Sequence, residues 1–176
     1  MTNWLESQFS LVGKKALVTG SSKGIGASIA QALAHAGADI VLVGRSEESL
    51  KETKSAIEKI GRKVEIVLCD VSSAEAIKGA FANIADLKVD ILVNNAGSIS
   101  RAPAAETEIQ DWNRIIDTNL NSVFQISQAC GGAMIAKGSG TIINIASLLS
   151  FQGGINVPAY TASKHGVAGV TKALAN

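Results

Sequence analysis

"KALVTGSSKGIG", residues 15–26, runs from a short apolar segment directly into a glycine-rich turn. The apolar part is almost unbroken, as in a strand covered on both faces. Glycines follow at positions 20, 24 and 26. Gly20 suits a tight exit from the strand, Gly24 lets an anion approach the backbone, and Gly26 lets a helix lie close to the strand. The pattern then turns helical over 25–37, with Ile25, Ile29, Leu33 and Ala36 as its apolar positions before Gly37 stops it. The first N–H groups of a helix have no intrahelical partner and carry partial positive charge, so a strand, a glycine turn and a helix start form an anion cradle. Gly20, Ser22, Lys23, Gly24, Ile25 and Gly26 are the candidate contacts to the pyrophosphate of a dinucleotide.

The same alternation repeats outward from this stretch. Apolar, β-branched runs at 39–44, 64–70, 89–95 and 141–147 read as further buried strands. Segments of helical period at 47–61, 72–87 and 111–137, and from 157 onward, lie between or after them. Alternating strands and helices specify an α/β fold, a doubly wound parallel sheet with helices on both faces and right-handed crossovers. One domain spanning 1–176 is expected. In such sheets ligands bind beyond the carboxyl ends of the strands.

The composition narrows the partners. A formal net charge of +1 provides no field to attract nucleic acid or anionic lipid. No window approaches the ~18 uninterrupted apolar residues needed to cross a bilayer, and the N-terminus lacks a signal-peptide pattern. Cys69 and Cys130 read as small buried hydrophobes in a reducing compartment, neither a disulfide nor a metal site. A cytoplasmic protein acting on a small molecule, without a metal, is expected. His35 and His165 read as surface or packing residues, and Trp112 as a helix residue packed on the sheet.

Several residues suggest chemistry. The end of the second strand reads "VGRSEE", with Gly44 where an acid would bind a ribose 2′-hydroxyl, followed by Arg45. Together with Lys23, two cations and no carboxylate favour NADP(H), with NAD(H) possible. Tyr160 and Lys164 stand four apart in an apparent helix, which puts both on one face. An ammonium there favours phenolate, so the phenol can exchange a proton with an alcohol or carbonyl. Ser147 ends the fifth strand, "VNNAG" (93–97) ends the fourth, and Asn119 sits inside a long helix where asparagine is a poor helix former.

With "TGSSKGIG", "NNAG", Asn119, Ser147 and "YTASK" in this order and spacing, the sequence resembles the short-chain dehydrogenase/reductase family, from about residue 10 to its last residue. The resemblance implies a Rossmann fold, with the five strands in the order 3-2-1-4-5, and hydride transfer between nicotinamide and a secondary alcohol or ketone. It makes Tyr160 the general acid/base and Ser147 the group orienting the substrate oxygen. Lys164 then favours the phenolate and binds the nicotinamide ribose, so Tyr160 and Lys164 also belong to the cofactor site. Asn119 holds a water in a proton relay to Lys164. Asp70 and Val71 are implied at the adenine, and Asn94, Ala96 and Gly97 along the cofactor.

The segment 144–176, above all "SFQGG", looks most like the subgroup of 2-deoxy-D-gluconate 3-dehydrogenases, also described as 2-dehydro-3-deoxy-D-gluconate 5-dehydrogenases. Arg101 suits a sugar-acid carboxylate, which a guanidinium grips through two parallel bonds. Gluconate 5-dehydrogenases and 3-oxoacyl-carrier-protein reductases share the catalytic motifs and are the nearest alternatives. Family members run longer and form homodimers or homotetramers. The resemblance therefore implies a chain cut within its last helix, lacking the family's last strands. A cofactor-binding fragment without turnover is the alternative from another class.

Overall fold

A computed structural model describes residues 4–176. Five parallel strands form one sheet: β1 (Lys15–Thr19), β2 (Asp39–Gly44), β3 (Val64–Leu68), β4 (Ile91–Asn94) and β5 (Thr141–Asn144). Their order is β3-β2-β1-β4-β5, the order that the family resemblance implies. The helices are α1 (Trp4–Phe9), α2 (Gly24–His35), α3 (Glu47–Lys59), α4 (Ala74–Ala80), α5 (Ile109–Ile116), α6 (Ser122–Lys137) and α7 (Pro158–Ala175).

The near-continuous apolar runs of β1 and β2 are explained by burial on both faces. Leu17, Val41, Val43 and Leu92 point to one side, where they meet Ile77 of α4 and Ile126, Cys130 and Met134 of α6. Ala16, Val18, Ile40, Leu42 and Val93 point to the other, against Ala30 and Ala34 of α2 and Leu50 and Ile57 of α3. Cys69 and Cys130 are free and buried in the first of these clusters. Burial pushes the Cys69 thiol up to about 11, with the Asp70 charge adding to it, and pushes Cys130 up to about 12. Neither thiol is a nucleophile near neutral pH.

Three boundaries differ from the periodicity. The helix expected over 72–87 is α4 followed by a 3₁₀ turn, Ile84–Leu87, with Lys88 left-handed at φ 51°. Gly79 and Asn83, both poor helix formers, fall where the helix gives out. The helix expected over 111–137 starts at Ile109 and is interrupted by a π turn, Asp117–Asn121, between α5 and α6. Trp112 is half-buried on α5, which lies against α7 and the π turn. The fifth strand stops at Asn144, and Ser147 caps a separate 3₁₀ turn, Leu148–Ser150.

The order reverses between β1 and β4, because β2 and β3 are laid down on one side of β1 and β4 and β5 on the other. At the opposite, amino end of the sheet Asp90 fixes the β1–β4 pair. Its carboxylate accepts from the Lys15 N–H at 2.9 Å and from Lys137 Nζ at 2.6 Å. Burial pushes the Asp90 carboxyl up, but the Lys137 and Lys15 hydrogen bonds and the Lys137 and Lys14 charges outweigh it and hold it below the usual range. A depressed folded value means that this stabilisation is complete above the unfolded value, about 4, and is lost as pH falls through the folded one. Asp90→Asn is expected to cost about 1–3 kcal/mol near neutral pH. Urea titrations of both proteins check this, and their difference should shrink as pH drops below about 4.

Candidate active site

The crevice opens where the exits of β1 and β4 meet. Gly20 leaves β1 at φ 63°, and a Cβ there would stand 2.8 Å from Ala96 Cα. Thr19 Oγ1 accepts from the N–H groups of both Asn95 and Ala96, each at 3.0 Å. The Asn95 side-chain amide donates back to the Thr19 and Gly20 carbonyls at 3.0 and 3.2 Å. A Cβ on Gly26 would collide with the Gly20 carbonyl and this amide, so glycine here lets α2 start close to the strand ends. Gly24 is left-handed at φ 58° with open space where a Cβ would be.

A cleft of about 820 Å³ follows from this arrangement, lined by Gly20, Ser22, Lys23, Gly24, Ile25 and Gly26 on one side and by Ala96 and Gly97 on another. Gly44, Arg45, Asp70 and Val71 continue the lining beyond β2 and β3. The first turn of α2 has no acidic residue, and Lys23 at its N-cap makes no side-chain cap bond, so the N–H groups there have no competing anion. Hydrogen bonds from the Ser72 N–H and hydroxyl hold the Asp70 carboxyl below its usual range, and the Arg45 charge acts in the same direction. An uncapped helix start, a glycine cradle and two exposed cations fit the diphosphate and ribose of a dinucleotide. Asn94, Tyr160 and Lys164 are the expected cofactor residues absent from this lining. Asn94 is buried, and its amide donates to Ser127 and Asn144 at 2.9 Å each. Asn95, next along the chain, lines the cleft instead.

The chemical groups Ser147, Tyr160 and Lys164 are not among the lining residues, and Asn119 links the helix α7 to the cleft by bonding both Ser98 of the lining and Ser163. Lys164 is 5% exposed, and its ammonium lies 5.8 Å from the centroid of the Tyr160 ring. It donates to the Ile145 carbonyl at 2.6 Å, two residues before Ser147. Burial lowers the Lys164 pKa below that of an ordinary lysine. Ser147 Oγ accepts from the Leu149 N–H at 3.2 Å, which leaves its own hydrogen available to donate.

Asn119 is fully buried in the π turn. Its Oδ1 accepts from the Ser98 N–H at 2.8 Å, and its Nδ2 donates to the Ser98 carbonyl at 2.9 Å and to Ser163 Oγ at 3.1 Å. Both amide hydrogens are thus spent, and a water held by Asn119 needs another of its atoms. Arg101 is exposed on the loop after β4, and the Ala102 N–H bonds the Asn156 carbonyl at 2.9 Å, tying that loop to the segment leading into α7. Sequence pattern assigns no separate role to Thr19, Ser98, Ser150 or Ser163, and it does not say which amide of "VNNAG" faces the cleft. Only Ser147 and Ser150, three apart as in a capping box, carried a local signal.

Fold and site together define a dinucleotide-binding α/β oxidoreductase. The profile of the short chain dehydrogenase family matches residues 14–176, and the chain belongs to that family. It is 52% identical over 174 residues to the 2-dehydro-3-deoxy-D-gluconate 5-dehydrogenase of Bacillus subtilis (strain 168), covering 98% of this chain and 68% of that protein. It is 46% identical over 173 residues to the 2-dehydro-3-deoxy-D-gluconate 5-dehydrogenase of Escherichia coli (strain K12), covering 97% and 68%. A crystal structure of a gluconate 5-dehydrogenase from Burkholderia cenocepacia J2315, in complex with NADP and tartrate, superposes with a TM-score of 0.90 at 37% identity. It covers 97% of this chain and 68% of that one. Gly26→Ala is expected to weaken NADPH binding about tenfold or more, because the added methyl forces the Gly20 and Asn95 walls apart. Fluorescence titration reads this. Gly79→Ala on α4, with open space at its Cβ, should bind as the unaltered chain does.

Proposed function

We propose that the protein is an NADP(H)-preferring oxidoreductase that interconverts a secondary alcohol and a ketone on a sugar acid, of the 2-dehydro-3-deoxy-D-gluconate type. One observation carries the catalytic part: the buried Lys164 ammonium bridges the Tyr160 ring and the strand exit that bears Ser147. Bound in the crevice, the nicotinamide cofactor supplies or accepts the hydride. Ser147 donates to the substrate oxygen and holds it. Tyr160 gives that oxygen its proton during reduction and takes it back during oxidation. Lys164 favours the phenolate so formed, and its lowered pKa eases return of a proton to the phenol. Asn119 contributes by pinning Ser98, beside the crevice, to the helix that carries Tyr160 and Lys164.

Lys23 and Arg45 line the cleft with no acid at position 44, which supports NADP(H) over NAD(H). The sugar-acid substrate follows from the similarity to the two 2-dehydro-3-deoxy-D-gluconate 5-dehydrogenases, with Arg101 as the carboxylate partner. Gluconate is the second substrate reading, favoured by the Burkholderia neighbour, at lower identity. A cytoplasmic location is part of the proposal, supported by the two free buried cysteines. Among the described residues no helix is long and apolar enough to cross a membrane. A homodimer or homotetramer is also proposed, supported by Phe124 and Ile135, which α6 leaves exposed.

Cofactor absorbance with 2-dehydro-3-deoxy-D-gluconate tests this function. Tyr160→Phe should lower kcat about 10²–10⁴-fold with NADPH binding retained. Replacing Lys23 and Arg45 with glutamate should raise KM for NADP+ about tenfold or more and leave that for NAD+ nearly unchanged. Arg101→Ala should raise KM for the sugar acid. An unchanged KM would remove Arg101 from the substrate site.

A further inference from the structure

Ser150 is buried, and no step above uses its hydroxyl. Its Oγ accepts from the Ser147 N–H at 3.2 Å and donates to the Lys164 carbonyl at 2.7 Å. Its own N–H bonds the Ser147 carbonyl at 3.0 Å, so the two serines are held face to face across one turn. Lys164 meets the same segment a second time, through its ammonium on the Ile145 carbonyl. The stretch 145–150 is therefore fastened to α7 on both sides of Ser147, by the ammonium before it and by the Ser150 hydroxyl after it. A hydroxyl can serve here because it donates one hydrogen and accepts another at a single atom.

We propose that Ser150 is a positioning residue for carbonyl reduction, setting the Ser147 hydroxyl at a fixed place relative to Tyr160 and Lys164. The inference rests on the function proposed above. If it holds, Ser150 acts through Ser147, because its bond to the Ser147 N–H fixes the backbone from which that side chain projects. Without it the 3₁₀ turn keeps its own backbone bond but loses its anchor on α7. The substrate oxygen then meets a serine whose position relative to the phenol is no longer set.

The test measures Ser150→Ala alone and in the Ser147→Ala background. Loss of placement should lower kcat about 10–100-fold, while the Kd for NADPH, read by fluorescence, stays unchanged. In the Ser147→Ala background the same change should cost little, since the two substitutions remove one effect. An unaltered kcat overturns the proposal, and so does an equal loss in both backgrounds. Amide hydrogen exchange gives a second readout that needs no turnover. Ser147 N–H should exchange about tenfold faster in Ser150→Ala, and unchanged protection overturns the proposal. Ser150→Cys, which keeps the shape and weakens both bonds, replaces alanine where thermal unfolding shows the alanine variant to be poorly folded. An unaltered chain that reduces no sugar-acid ketone would sink the functional reading, and Ser150 would then be judged by exchange alone.

Discussion

The close approach of two strand ends governs the molecule. β1 and β4 leave the sheet side by side, near enough that a Cβ on Gly20 would press into the Ala96 backbone. Thr19 Oγ1 closes this junction by accepting two successive N–H groups from the neighbouring exit, and Asn95 returns two bonds to the Thr19 and Gly20 carbonyls. Buried backbone groups left open here would each cost about 1–3 kcal/mol, so the junction must be complete before a crevice can exist above it. The start of α2, the cleft and the line of backbone through Gly97 all take their positions from it.

A second polar construction lies to one side. Asn94 links Ser127 of α6 to Asn144 of β5, and Asn144 passes the connection to Thr171 of α7 at 3.0 Å. This chain carries the placement of α7 into the sheet. Asn119 and Ser163 carry it into the π turn, and Ser163 Oγ closes the path on the Tyr160 carbonyl at 2.7 Å. Tyr160 and Lys164 are thus held by a helix anchored at several levels.

The sheet was legible in the sequence because burial on both faces leaves an unbroken apolar run, and glycine punctuates where backbone must turn or pass closely. Gly20, Gly24 and Gly26 could be read for that reason, each with its own physical task. The phenol and ammonium were legible as neighbours from helical spacing, but their chemical roles came from resemblance, since spacing alone does not separate a working pair from a surface pair. Asn94 and Asn95 could not be told apart by type. Which of two adjacent amides faces the crevice depends on the pleat at the strand end, and periodicity blurs there. Ser163 and Asn119 meet across 44 positions of sequence, a pairing that no local pattern contains. The π turn was invisible in the same way, apart from the misfit of asparagine within a helix.

That π turn joins α5 and α6 into one continuous rod with different duties at its two ends. A π turn inserts one residue into the helical count, which rotates everything beyond it by about 100°. The first half can therefore present its apolar side to α7 while the second presents its own to β4 and α4. A uniform helix would offer a single stripe and could satisfy only one of these neighbours along its whole length. The extra residue works as a phase shifter, and Asn119, fully buried within it, sits where the two halves change partners.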